Sequence, residues 1–83
     1  MKINNILEDE GIFEFLEKRN LLEQYKKAKL NVLSKVNSNN YFKERKPKGS
    51  NIWYFRINKQ FRAIGTIDSD NDLIVYKIDN HQK

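Results

Sequence analysis

The sequence predicts an α+β domain, two N-terminal helices packed on one face of a small twisted antiparallel sheet. Three observations carry that expectation. Apolar residues of the first half recur at helical spacing, bulky and polar residues of the second half alternate with period two, and turn-forming residues separate the runs. With 83 residues the chain has room for a single modest core and one domain over 1–83, a helical hairpin over 5–36 followed by a sheet over 41–79.

Residues 6–18 suit a first helix. Ile6, Phe13 and Leu16 fall near one stripe, widened by Ile12 and Phe15. Glu8, Asp9 and Glu10 lie near its start, where the helix dipole favours carboxylates, and Gly11 weakens it by about 1 kcal/mol relative to alanine. Arg19–Asn20 reads as a break, with Asn20 as the N-cap of a second helix over 21–36. There Leu22, Tyr25, Lys29, Val32, Leu33 and Val36 share a flank, and Asn37-Ser38-Asn39-Asn40 stops the helix.

Residues 41–45 fit an edge strand, since lysine and arginine are tolerated there, and Pro47-Lys48-Gly49-Ser50 marks a loop. Three strands follow, over 51–58, 60–67 and 73–78, the first two joined by a tight turn at Asn58-Lys59. Asp68-Ser69-Asp70-Asn71-Asp72 connects the last two. It lacks the glycine and distant glutamate of an EF-hand, so a plain hairpin turn is expected rather than a calcium loop.

Alternation assigns the faces. Trp53, Phe55 and Ile57 point toward the helices, which leaves Tyr54 and Arg56 on the opposite, open face. Arg56 and Arg62 flank the hairpin turn and can converge on one spot. The planar guanidinium forks clamp phosphate and never lose charge, so this hairpin predicts a phosphate site on nucleic acid.

Charge is concentrated around that hairpin. Residues 1–36 carry a net +1, residues 37–67 a net +6 and residues 68–83 a net −2, within a total of +5. Lys43, Arg45, Lys46 and Lys48 precede the hairpin and Lys59 sits in it, together a field that attracts polyanions. The chain has no cysteine and one histidine, which excludes disulfide staples, thiolate zinc sites and histidine-rich metal sites. No apolar run approaches the roughly 20 residues that span a bilayer, and no signal-peptide apolar region follows Met1. A cytoplasmic location and no cofactor are therefore expected.

The run Trp53-Tyr54-Phe55-Arg56-Ile57, then Phe61-Arg62-Ala63-Ile64, an acidic turn, Leu73-Ile74-Val75-Tyr76-Lys77-Ile78 and a terminal Asp79-Asn80-His81 resembles the RelE/ParE toxins of bacterial toxin–antitoxin modules. The resemblance covers the second half of the chain closely, and the helical hairpin before it agrees in order and length. It implies two helices on a twisted antiparallel sheet and a cognate antitoxin as partner. Many such toxins are ribonucleases that cut messenger RNA in the ribosomal A site, whereas the ParE branch poisons DNA gyrase.

Metal-free RNA cleavage needs a base for the ribose 2′-hydroxyl, an acid for the leaving 5′-oxygen, and cations for the charge gathered on phosphorus. The resemblance places Arg62 at the scissile phosphate with Arg56 in support. His81 takes the position of a C-terminal histidine associated with proton transfer in YoeB-like and HigB-like members. A glutamate or lysine before the hairpin acts as base or charge stabiliser in such members, a place that Glu44, the only carboxylate of the 37–67 stretch, or a lysine nearby, Lys43 or Lys46, takes here. The chain departs from the nuclease pattern at its end, where Gln82 and Lys83 stand in place of a tyrosine. Tyr54, Tyr76 and Tyr41 remain as stacking surfaces for unpaired bases, each contact being worth about 1–3 kcal/mol. The expectation is thus a metal-independent endoribonuclease acting on messenger RNA at the ribosome. A gyrase poison and a non-catalytic binding module of the same fold are the rivals.

Overall fold

The structure, a computed structural model, describes residues 3–34 and 42–80. Along the chain run β1 (Ile6–Glu8), α1 (Ile12–Lys18), α2 (Leu22–Leu33), β2 (Phe42–Glu44), β3 (Trp53–Arg56), β4 (Phe61–Ile67) and β5 (Leu73–Asn80). The strands form one sheet in the order β1-β5-β4-β3-β2, antiparallel except for β1, which lies parallel to β5. The expected α+β architecture is therefore present, with one more strand than the sequence suggested.

That strand corrects the reading of residues 6–18 as continuous helix. Ile6 owes its burial to pairing with Leu73 on β5, and its helical spacing from Phe13 is incidental. The chain turns at Gly11, whose φ of 90° lies in the left-handed region that glycine enters without a steric cost. Only then does α1 begin, burying Ile12 and Leu16 one turn apart.

Asn20 also has a different job from the one expected. Its φ of 58° is left-handed, its N–H donates to the Glu17 carbonyl (3.1 Å), and the Leu21 N–H donates to the Leu16 carbonyl (2.8 Å). These are the two bonds of a Schellman motif, so Asn20 closes the C-terminus of α1. The N-cap of α2 is Leu21, which offers no side-chain bond and is buried, as is Leu16.

The core lies between the helices and one sheet face. From the helices come Ile12, Leu16, Leu21, Tyr25 and Val32, and from the sheet Phe42, Phe55, Ala63, Leu73, Val75 and Ile78. Tyr25 and Phe55 pack with ring centres 5.9 Å apart. Trp53, expected in the core, is half-buried and stacks on Phe42 at 5.0 Å. The Tyr25 hydroxyl donates to Glu8 Oε2 (2.6 Å), and Lys29 Nζ reaches the same oxygen (2.8 Å). This triad ties the edge strand β1 to α2. Burial, chiefly, and then the Glu8 carboxylate push the Tyr25 hydroxyl well above the ordinary tyrosine pKa near 10.

Between Ile64 and Gly65 the β4–β5 register slips by one residue at a bulge, leaving Tyr76 as the extra residue of β5. Gly65 is required there: a Cβ would collide with the Ile74 carbonyl of the neighbouring strand.

Candidate functional site

The hairpin between β3 and β4 is set by an asparagine. Asn58 Oδ1 accepts the N–H groups of Gln60 and Phe61, both at 2.8 Å, and the Ile57 N–H donates to the Phe61 carbonyl at 2.9 Å. The connection is therefore a loop over residues 57–60, wider than the expected two-residue Asn58-Lys59 turn. It fixes the register that matters, with Arg56 directly opposite Arg62.

Side chains opposed in this way start from Cβ atoms about 4.5–5.5 Å apart. Both arginines project from the sheet face away from the helices, since Phe55 and Ala63, the next residues along, are in the core. Tyr54 and Lys43, paired across β3 and β2, share their face. So do Lys77 opposite Ile64 and Asp79 opposite Arg62. The Arg62 guanidinium carbon lies over the Tyr54 ring, 4.8 Å from its centre, which holds the half-buried Arg62 while Arg56 stays exposed.

Like charges directly opposed across a ladder cost stability. Asp79, the one carboxylate in these rows, approaches Lys77 (3.9 Å), and neither arginine forms an ion pair among the described residues. Ile64 sits within this face, 2 % exposed and outside the main core cluster, so the polar rows have a packed apolar centre. Two guanidinium groups without a carboxylate partner among the described residues can neutralise the equatorial oxygens of one phosphate, and flanking cations can hold its neighbours.

The sequence-derived candidates divide into two groups. Arg56, Arg62, Tyr54 and Lys43 share one sheet face. Glu44 stands apart. It pairs with Trp53 on the helix-side face, and its Oε2 accepts the N–H groups of Gly49 (3.1 Å) and Asn51 (2.9 Å). Its carboxylate thus braces the loop instead of facing the arginines. Arg45, Lys46 and Lys48 belong to that loop, at the opposite end of β3 from Arg56, four residues or about 13 Å beyond it measured from Ile52, whose carbonyl accepts the Arg45 N–H. Lys59 is exposed at the hairpin tip. His81, Tyr41 and Val36 lie outside the described residues.

Lys77 and Asp79 are site-face residues absent from the initial candidates. A strand expected to stop at Ile78 runs on to Asn80, and extending the period-two alternation by two residues would have placed Asp79 beside Arg62. In the β4–β5 turn, Asp68, Asp70 and Asp72 hold carboxylate oxygens within 4.8 Å of one another. Asp68 Oδ1 accepts the N–H groups of Asp70 (2.9 Å) and Asp72 (3.0 Å), the bonding of an Asx turn.

No protein-family model and no curated protein matches this sequence. Solved structures do match over nearly its whole length. A YoeB-YefM complex from Staphylococcus aureus aligns at 16 % identity and a TM-score of 0.60, covering 99 % of this chain and 100 % of the other. A heterotetrameric YoeB-YefM toxin-antitoxin complex from the same organism gives the same values. A YoeB/ParE toxin from Agrobacterium tumefaciens aligns at 19 % identity and a TM-score of 0.57, with the same coverage. The chain thus has the fold of the YoeB and YoeB/ParE toxin structures, and its own arginine pair stands on the sheet face opposite the two helices.

Proposed function

We propose that this chain is the toxin of a toxin–antitoxin module and acts as a metal-independent endoribonuclease on messenger RNA at the ribosome. The observation that carries the reading is the Arg56–Arg62 pair, opposed on the sheet face that the helices leave open and without a carboxylate partner among the described residues. The likeness to YoeB-YefM complexes supports a toxin with a cognate antitoxin as partner.

In this reading the scissile phosphate lies over the two arginines. Attack of the 2′-hydroxyl builds negative charge on the non-bridging oxygens, and Arg62, steadied on Tyr54, meets that charge with Arg56 beside it. Lys43 shares the face and stabilises the developing 2′-oxyanion, whose proton passes to solvent water, since Glu44 is occupied at the loop. His81 donates a proton to the leaving 5′-oxygen. Arg45, Lys46, Lys48 and Lys59 hold flanking phosphates.

Gyrase poisoning is the second reading, favoured by the likeness to a structure described as a YoeB/ParE toxin. Primer extension on translated message after induction separates the two. New 3′-proximal stops within codons are expected from the nuclease. Intact message with DNA-damage signalling would replace this reading by the gyrase one, and intact message with neither effect would leave a binding module.

A further inference from the structure

A second feature adjoins the arginine pair. Between α2 and the β3–β4 hairpin lies a cleft of about 340 Å³, within the size range of small-ligand pockets. Its lining carries two lysines, Lys27 from α2 and Lys59 from the hairpin tip, and no acidic residue, while Arg56, whose side chain leaves β3 on the other face, borders it at the end of the strand. Its remaining walls are neutral. Asn58 Nδ2 donates to Gln24 Oε1 (2.7 Å), a strut that spans the cleft and fixes the hairpin against the helix. Because Asn58 Oδ1 already accepts two backbone N–H groups, that strut is fixed at its hairpin end. Asn31 adds a further amide, and Ala28 with Ile57 gives an apolar floor.

We infer that this cleft is a nucleotide subsite, which holds one nucleotide of a single-stranded RNA next to the phosphate on the arginine pair. A phosphate needs the concentrated positive charge, and a base or ribose suits the apolar floor with amide edges. Arg56 borders the cleft and begins the arginine row on the other face, so the two sites meet at the hairpin end of β3. A carboxylate would engage the cations but leave the floor and the amide wall unused, so an acidic peptide is the less fitting occupant. The identity of the strand as RNA rests on the function proposed above. The existence of the cleft site does not.

The test follows the side-chain amide signals of Gln24, Asn31 and Asn58 by NMR, during titration with a 2′-O-methyl RNA hexamer, which resists cleavage. Inorganic pyrophosphate and a hexaglutamate peptide are titrated separately. Saturable shifts with the hexamer and with pyrophosphate are expected. Lys27→Gln with Lys59→Gln should weaken hexamer binding at least tenfold and flatten the salt dependence of log K by about 0.7, the contribution of one phosphate contact on a single strand. Lys18→Gln with Lys26→Gln, which removes the same charge from exposed positions elsewhere, should change affinity less than twofold. Ala28→Leu should block the shifts without altering charge. Equal losses in the two lysine pairs, unmoved amide signals, or hexaglutamate binding as tightly as RNA would each overturn the subsite. If message is uncut in cells while the hexamer still fills the cleft, the nuclease reading fails and the subsite stands. If message is cut while the cleft signals stay still, the reverse holds.

Discussion

Tyr25→Phe removes one hydroxyl from the triad that fastens β1 to α2, and its cost can be worked from the geometry. The bond to Glu8 is short, 2.6 Å, accepted by a carboxylate and made by a fully buried ring. Hydrogen bonds to charged groups contribute about 1.5–3 kcal/mol. Lys29 remains on the same Glu8 oxygen, so the carboxylate is not left unpaired and the lower half of that range applies. A loss of about 2 kcal/mol corresponds to a fall in melting temperature of roughly 8–16 °C for a domain of this size. The pH dependence has a definite sign. The folded-state pKa of Tyr25 is raised above its unfolded value near 10, so its contribution is fully present below pH 10 and is lost as pH rises beyond it. The slope of that loss is about 1.4 kcal/mol per pH unit, and Tyr25→Phe should lack it. Thermal melts followed by circular dichroism between pH 7 and 11 measure both effects. A melting temperature within about 2 °C of the parent, with parallel alkaline limbs, would refute the claim that this triad anchors β1.

Other consequences concern the sheet and its loop. Gly65→Ala should cost about 1–3 kcal/mol or prevent folding, because the new methyl meets the Ile74 carbonyl. An unchanged urea midpoint would show that the strands can separate there freely. Glu44→Ala should lower stability by about 1 kcal/mol through its two loop N–H partners and leave RNA cleavage per folded molecule near the parent level. A hundredfold fall in cleavage with the fold intact would instead make Glu44 the base. Lys43→Gln should slow cleavage tenfold or more at unchanged stability, and full activity in that variant would move the oxyanion-stabilising role elsewhere.

The hairpin was legible because its signal is local. Two alternating runs around Asn58 state which residues share a face, and a face once assigned brings Arg56 and Arg62 together without knowledge of the rest of the chain. β1 was not legible, because three residues hold too little periodicity to compete with a helical spacing that runs through Ile6, Phe13 and Leu16 by coincidence. Its strand character comes from Leu73, 67 positions away in the chain. Asn20 shows a related ambiguity. Asparagine serves at a helix start and at a left-handed helix end, and the choice rests on Leu21 and Leu16 both finding the core. Glu44 was placed near the arginines because the resemblance puts a base before the hairpin. The pleat decides otherwise, since one step along β2 separates Lys43, on the arginine face, from Glu44 on the other.

The proposed cleavage depends most directly on Arg62. Single-turnover cleavage of ribosome-bound message by Arg62→Ala, with its fold checked by circular dichroism, should fall by about 100- to 1,000-fold, the loss typical of one transition-state charge partner. Cleavage at the parent rate by the folded variant would contradict it.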